Sequence, residues 1–354
     1  MFASSKAEVE IERCGRMGVK ISGIMEKKEI SLEELSGKKL AVDAYNTLFQ
    51  FLSIIRSYTG TPLMDDKGRI TSHLSGLFYR TCSLLEKGIT PVYVFDGKPS
   101  ILKKKTIEAR ENIKIEAEKA YKKAIEEGRE EEAGKYAQRT SRLTKEMVEE
   151  AKKLLDLMGL PWIQAPSEGE AQCSYMNQKG VTDVTASQDF DCMLFGAPIL
   201  ARNIAISGRK KIPNRNVYAE ISPEEFLLEE NLEKLGLSRK KLVWIGILSG
   251  TDFNEGVMGI GAKKALKLVK KHESFEKILE ELKIEMEWQE VEELFLNPEV
   301  TEIEKDSLKF ENIQKNDLTE FMASYGFSGE RVENAIKRGF KNIGSTQDRL
   351  QKWF

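Results

Sequence analysis

VTDVTASQDFDCMLFG, residues 181–196, decides the fold. A β-branched run, Asp183-Val-Thr-Ala-Ser187, gives way to Asp189 and Asp191 on either side of Phe190, and an apolar run follows at once. β-Branched residues favour strands, and acids are common where strands stop. The pair therefore lies at the rim of a core, where it is either a plain turn or part of a larger group. Along an extended chain, alternation turns Phe190 one way and both aspartates the other.

Outward from this stretch the same theme recurs. Lys39–Asp43, Pro91–Asp96, Pro161–Ala165 and Ile199–Arg202 are short apolar runs, separated by helix-like stretches at 45–57, 71–87, 145–158 and 168–179. Such alternation predicts an α/β fold with a mainly parallel, twisted central sheet flanked by helices. Sites in open sheets of this kind form outside the carboxyl ends of the strands. From residue 262 to about 340 the pattern is helical.

Composition narrows the class. Fifty-five Lys and Arg against 57 Asp and Glu leave a net charge of −2, so only the distribution of charge speaks to partners. Four cysteines without a CxxC pair, and two histidines, exclude the usual zinc spacings and suit a reducing compartment. The N-terminal MFASSKAEVEIERCGR has no apolar core of a secretory signal. Leu242–Leu248, the longest apolar run, is too short to span a bilayer. A soluble intracellular protein is expected, with no membrane partner.

The acids fall in a pattern. Asp43 ends one strand-like run, Asp96 the next, Glu168 and Glu170 follow the third, and Asp189 and Asp191 the fourth; Asp252 follows Leu242–Leu248. Each also has a structural reading: a helix cap for Asp43, an Asp-Gly turn for Asp96, a capping box from Ser167 to Glu170. Gathered at one rim, they oppose folding unless a cation neutralises them. An all-oxygen set selects Mg²⁺ or Mn²⁺. Seven carboxylates exceed what one Mg²⁺ takes from protein, so two ions about 4 Å apart are expected, an arrangement suited to phosphodiester hydrolysis. Structural Ca²⁺ binding is the alternative.

Two basic elements accompany them. Residues 98–145 carry 14 basic and 9 acidic residues with little apolar periodicity, which reads as an exposed helical hairpin broken near Gly128. Lys103 and Arg110, seven apart, share a face that begins just after Asp96 and suits a scissile phosphate, or is an ordinary surface helix. In GVMGIGAKKALKLVKK (256–271), Gly259 and Gly261 open a helix bearing Lys263, Lys264, Lys267 and Lys270. That is a phosphate-binding turn for duplex DNA without base readout, or a turn between packed helices.

These motifs in this order resemble the flap endonucleases, structure-specific 5′-nucleases of the XPG type, most closely the archaeal members. The resemblance rests on MGVK (17–20), AVDAYNTLFQFL (41–52), KGRITSHLSGLFYRT (67–81), VYVFDGKP (92–99), PSEGEAQ (166–172), SQDFDCMLFG (187–196), GTDFNEGVMGIG (250–261) and FLNPEV (295–300). It implies a PIN-like nuclease fold with a helical arch and a helix-hairpin-helix element. Residues 17–343 would form one nuclease domain: an N region at 17–120, the arch at 98–145 through which a 5′ flap passes, an I region at 146–270 with the helix-hairpin-helix at 250–271, and C-terminal helices at 272–343. Asp43, Asp96, Glu168, Glu170, Asp189, Asp191 and Asp252 would hold two Mg²⁺ ions, with Mn²⁺ able to substitute, and Lys103 and Arg110 would act on the scissile phosphate. Phe49, Arg56, Arg69, Thr71, Gly259, Gly261, Lys263, Lys264 and Lys267 would touch DNA. The implied activity is 5′-flap endonuclease and 5′–3′ exonuclease cleavage in Okazaki fragment processing and repair, by a monomer in the archaeal cytoplasm near the nucleoid, or in the nucleus of a eukaryote. An exonuclease or excision-repair nuclease of the same superfamily is the enzymatic rival, and a non-catalytic clamp-bound junction binder or a ribonuclease-like domain acting on RNA is the competing class.

Some positions depart from the family. Sixteen residues precede Met17, Phe49 stands for a common tyrosine, Met258 for a common basic residue, and Ser100 for the second proline of a Pro-Pro. At the other end, Gln347, Leu350, Trp353 and Phe354 in the tail 344–354 match the motif that binds a sliding clamp, with an apolar plug one helical turn long.

Overall fold

The computed structural model describes residues 18–57, 61–127, 129, 136, 142–205, 208–211 and 218–341. The expectations for the first 16 residues and for the tail (Gln347, Leu350, Trp353, Phe354) lie outside the described residues, as does Gly128. Among the described residues no helix is long and apolar enough to cross a membrane.

The strands are β1 (Lys28–Glu29), β2 (Lys39–Asp43), β3 (Thr90–Phe95), β4 (Trp162–Gln164), β5 (Val184–Ala186), β6 (Ile199–Arg202), β7 (Gly208–Lys211), β8 (Tyr218–Ile221) and β9 (Glu224–Leu227). The helices are α1 (Ala44–Ile54), α2 (Ser72–Glu86), α3 (Lys104–Glu126), α4 (Lys145–Leu157), α5 (Gly169–Gln178), α6 (Asp191–Leu194), α7 (Leu228–Leu235), α8 (Arg239–Ser249), α9 (Ala262–Lys271), α10 (Phe275–Leu282), α11 (Gln289–Leu296), α12 (Lys315–Ser324) and α13 (Gly329–Gly339). The class is the expected α/β one, with a main sheet of seven strands, mixed and mostly parallel.

The chain forms two compact units. The first comprises Met1–Ile30, Val94–Arg110 and Gln164–Ile303. In it β5 runs parallel to β6, Thr185 opposite Leu200, while β9 lies antiparallel to β6 and β1 antiparallel to β9. Its core is dense in aromatic rings. Phe190 packs edge-on against Phe226 at 4.9 Å, and Phe295 packs against Phe195 at 4.7 Å and Phe253 at 5.3 Å. Each of these rings is under 6% exposed, so the residues beside them in sequence are held where the rings hold them. The apolar run at 242–248 is the buried stretch of α8, enclosed on all sides by the core.

The second unit comprises Ser31–Tyr93, Glu111–Ile163 and Glu304–Phe354. Helix α2 is its axis, packed against α1, α4 and α13. The approach of α1 is set by Gly76, where a Cβ would come within 2.2 Å of the Phe51 ring. Tyr93, fully buried, shares a 2.8 Å hydrogen bond with Thr81, and burial pushes its phenol up to about 12. In the region expected to form an arch, α3 ends at Glu126, just before Gly128, and Arg142 pairs with Glu118 at 3.3 Å.

Candidate active site

The site is built by the first unit from segments far apart in sequence. Phe190 is driven into the core against Phe226 and under the Arg202 guanidinium, 4.6 Å from its ring centre. That anchor fixes the aspartates on either side, 1% (Asp189) and 2% (Asp191) exposed. The backbone there is helical, however. Phe190 has φ −77° and ψ −7°, α6 starts at Asp191, and the Asp191 N–H donates to Asp189 Oδ1 at 3.0 Å. The expected extended alternation is therefore corrected: the two acids are brought together by a turn in which the Asp189 carboxylate accepts the N–H two residues on.

Asp252 sits in the turn after α8, held by Phe253, which is locked between Phe195 and Phe295. Asp96 follows β3, and its Oδ1 accepts the N–H of Gly169, the first residue of α5, at 2.7 Å. A carboxylate on that helix N-terminus meets both an unsatisfied donor and the positive end of the dipole. Glu168 occupies the N-cap position with no side-chain cap, so the expected capping box from Ser167 is not formed. Its carboxylate points instead at the start of α3, where Oε1 accepts from the Ser100 N–H at 3.2 Å and Oε2 pairs with Lys103 Nζ. Proline at position 100 would have no N–H to give, so Ser100 supplies a bond at the base of the helix that proline could not.

Lys103 is the centre of charge. Its ammonium lies 3.7 Å from Asp252 Oδ2 and 5.3 Å from the centre of the Phe253 ring, and its side chain is 12% exposed. Burial favours its neutral form, but Glu170, Glu168, Asp252 and Asp96 outweigh that and hold its pKa well above the ordinary lysine value. The acids respond in kind. Burial pushes Asp96 up to about 6, opposed by Lys103 and reinforced by Glu168. Burial, then repulsion from Asp189 and Asp252, raises Asp191 well above the usual carboxylate range. A cleft of about 930 Å³ opens beside the cluster, lined in part by Lys98, Ser100, Ile101, Ser167 and Glu168.

The fit of this donor set to a cation can be judged from its chemistry. It is all carboxylate oxygen, largely buried and electrostatically uncomfortable, which suits a hard divalent ion such as Mg²⁺. Among the described residues no three acids, histidines or cysteines already converge in a metal-holding arrangement. With no divalent charge between them carboxylates repel one another, and the ammonium of Lys103 stands among them.

Two backbone donors were not foreseen from the sequence. The Val19 N–H donates to Asp191 Oδ1 at 2.9 Å, and the Gly18 N–H to Asp252 Oδ1 at 3.1 Å. Their only sequence signal is the Gly of Met17-Gly-Val, whose φ of +77° is a conformation that favours glycine.

Asp43, in the second unit, ends β2, is 2% exposed and caps α1 by accepting the Asn46 N–H at 3.0 Å. Phe49 lies on α1, half-buried, and Arg56 donates from Nε to the Ser53 carbonyl at 3.1 Å. Arg69 pairs with Asp65 at 2.7 Å and lies 4.1 Å over the Tyr325 ring, and Thr71 is buried at the start of α2. Arg110 is on α3, and its side chain lies outside the described part of the structure. In the first unit Gly259 takes φ +76°, Gly261 is the N-cap of α9, and Lys263, Lys264 and Lys267 are exposed while Ala262, Ala265 and Val269 face the core.

Comparison with known proteins adds to this geometry. Residues 17–117 match the XPG N-terminal domain and residues 159–252 the XPG I-region. With the carboxylate cluster on an α/β fold, they define a nuclease of the XPG class. The chain is 50% identical over 341 residues to flap endonuclease 1 of Pyrococcus furiosus, across 96% of this chain and 99% of that one. The structure of flap endonuclease-1 from Methanococcus jannaschii matches with a TM-score of 0.74 at 41% identity, covering 93% of this chain and all (100%) of that one. The catalytic core of Rad2 in complex with DNA substrate matches at a TM-score of 0.64 and 26% identity, over 88% and 96% of the two chains. The chain belongs to the flap endonuclease family.

Proposed function

We propose that the chain cleaves branched DNA at the base of a 5′ flap, and trims 5′ ends, with two Mg²⁺ ions held by Asp43, Asp96, Glu168, Glu170, Asp189, Asp191 and Asp252. Mn²⁺ substitutes for Mg²⁺ in this reading, and residues 17–343 act as one nuclease domain with 98–145 as the arch. The observation that carries it is the buried carboxylate cluster, drawn together from segments between Asp96 and Asp252 around one ammonium group. Paired divalent ions, when bound, activate water and offset the charge that develops on the leaving oxygen.

The chain's own groups do the rest. The amides of Gly18, Val19 and Gly169 hold one oxygen each of Asp252, Asp191 and Asp96, leaving the ligand carboxylates pre-oriented. Lys103, on the turn that opens α3, and Arg110, on α3, meet the scissile phosphate as cations. Lys263, Lys264 and Lys267 on α9, with the amides of the Gly259–Gly261 turn, grip the duplex backbone, and Phe49, Arg56, Arg69 and Thr71 contact the DNA near the junction. Gln347, Leu350, Trp353 and Phe354 dock a monomer of the nuclease on a sliding clamp.

Cleavage of labelled 5′-flap DNA, blunt duplex and single-stranded RNA with Mg²⁺, then with chelator, tests the reading. Preference for the flap and loss of cutting in chelator are expected; equal cutting of flap and RNA, or indifference to chelator, overturns it. Asp189→Ala should bind the flap and fail to cut it. Removing residues 345–354 should abolish clamp binding and spare cleavage.

A further inference from the structure

We infer that Lys103 is the resident counter-cation of the carboxylate cluster and competes with divalent metal for the same oxygens, so that metal loading expels its ammonium from the acids. The inference rests on the metal-site reading above and adds a role for Lys103 before any substrate arrives. Its ammonium pairs with Glu168 Oε2 and stands 3.7 Å from Asp252 Oδ2, while the Ser100 N–H occupies Glu168 Oε1 at 3.2 Å. Both oxygens of one carboxylate are thus engaged by residues only three apart, on the turn that opens α3.

The packing makes this arrangement a closed one. The Lys103 side chain is 12% exposed, Glu168 and Asp252 are 5% and 8% exposed, and the ammonium lies over the face of Phe253, which the core holds rigidly. An ammonium in this place meets the requirement of buried like charges for a cation. It cannot share that place with metal. Mg²⁺ needs carboxylate oxygens at about 2.0–2.1 Å in near-octahedral order, and a dication held that close repels an ammonium held against the same oxygens. Metal and Lys103 are therefore linked, and by reciprocity whatever draws Lys103 away from the acids tightens metal binding. An anionic substrate does so, which ties full metal loading to the arrival of DNA.

Amine labelling of the full-length wild-type protein, without DNA, reads this directly. Lys103 should be protected in chelator and should be modified about tenfold faster with saturating Mn²⁺, the scale of one charge-assisted hydrogen bond, while exposed Lys263 reacts alike in both. Mn²⁺ affinity, followed by the electron paramagnetic resonance of the free ion, should be about tenfold tighter in Lys103→Gln without DNA. Mn²⁺ binding that leaves Lys103 reactivity unchanged, or affinity that is unchanged or weaker in Lys103→Gln, overturns this inference alone. Absence of Mn²⁺ binding to the wild type overturns the metal-site reading with it. The labelling result on wild type decides the matter even if Lys103→Gln fails to fold.

Discussion

The N–H of Gly18 donates to Asp252 Oδ1 at 3.1 Å, across 234 positions of sequence. The same residue presses on Asp189: a Cβ built there would stand 1.6 Å from Asp189 Oδ1, and its φ is +77°. Gly18→Ala should therefore displace both acids. Strain of about 1–2 kcal/mol from the left-handed backbone adds to the clash. Flap cleavage is expected to fall about 100-fold, the scale of a 1 Å error in a catalytic group. Single-turnover rates on flap DNA check it, with DNA affinity as the control that should change little.

How much of this was visible beforehand depends on what each feature rests on. The runs at 39–43 and 199–202 coincide with β2 and β6, because periodicity and β-branching act locally. The helices at 72–86 and 145–157 fall within a residue or so of expectation for the same reason. Strand β1 is two residues long, and β9 exists through its pairing with β6 and β1, so tertiary contact made them. The acids of the first unit are marked in the sequence by their places after successive strand-like runs, and of these Glu168 and Asp252 meet at Lys103. Their supports are not so marked. The Gly18, Val19 and Ser100 donors are backbone atoms, and no side-chain pattern announces a backbone atom. The turn at Phe190 leaves no sequence signal for a related reason: α6 is four residues long, too short to show a period.

Gly169 offers a cleaner probe of one ligand. Its N–H holds Asp96 Oδ1 at 2.7 Å, and a Cβ there would lie 2.5 Å from that oxygen. Gly169→Ala keeps the donor and the helix but pushes the carboxylate aside. A loss of flap cleavage of about tenfold or more is expected with the melting temperature within a few degrees of wild type, since helix propensity favours alanine by about 1 kcal/mol. Circular dichroism melts and cleavage rates on the same samples separate the two effects.

The exposed lysines of α9 should behave as phosphate contacts. Lys263→Ala and Lys267→Ala remove charges from the solvent face and leave Ala262, Ala265 and Val269 packed. Each should weaken flap binding alike for any duplex sequence and reduce the slope of log K against log salt by about 1. Fluorescence anisotropy titrations at several salt concentrations measure that slope. An effect that depends on sequence would point to base readout instead.

Beneath Arg69, in the second unit, lies a pH-dependent support. Glu150 accepts from the Tyr325 hydroxyl at 2.8 Å and shares a 2.9 Å contact with the ring nitrogen Nε2 of buried His73. Burial pushes the Glu150 carboxyl up, but those two hydrogen bonds outweigh it and hold the pKa below the ordinary 4.5. The folded value being the lower one, the unfolded chain binds more protons between the two. The stabilisation is present above the unfolded value, about 4.5, and is lost as pH falls through the folded one. Glu150→Gln should thus melt lower than wild type at pH 7, by a few degrees for about 1 kcal/mol, and the gap should narrow below about pH 4.5. Thermal melts of both proteins across pH 3–7 check this. Tyr325 also carries the Arg69 guanidinium 4.1 Å above its ring, and Arg69 donates to the Ser324 carbonyl at 2.5 Å. Losing the anchor beneath the ring should therefore loosen Arg69 as well, and flap affinity at pH 7 should fall in Glu150→Gln together with the melting temperature.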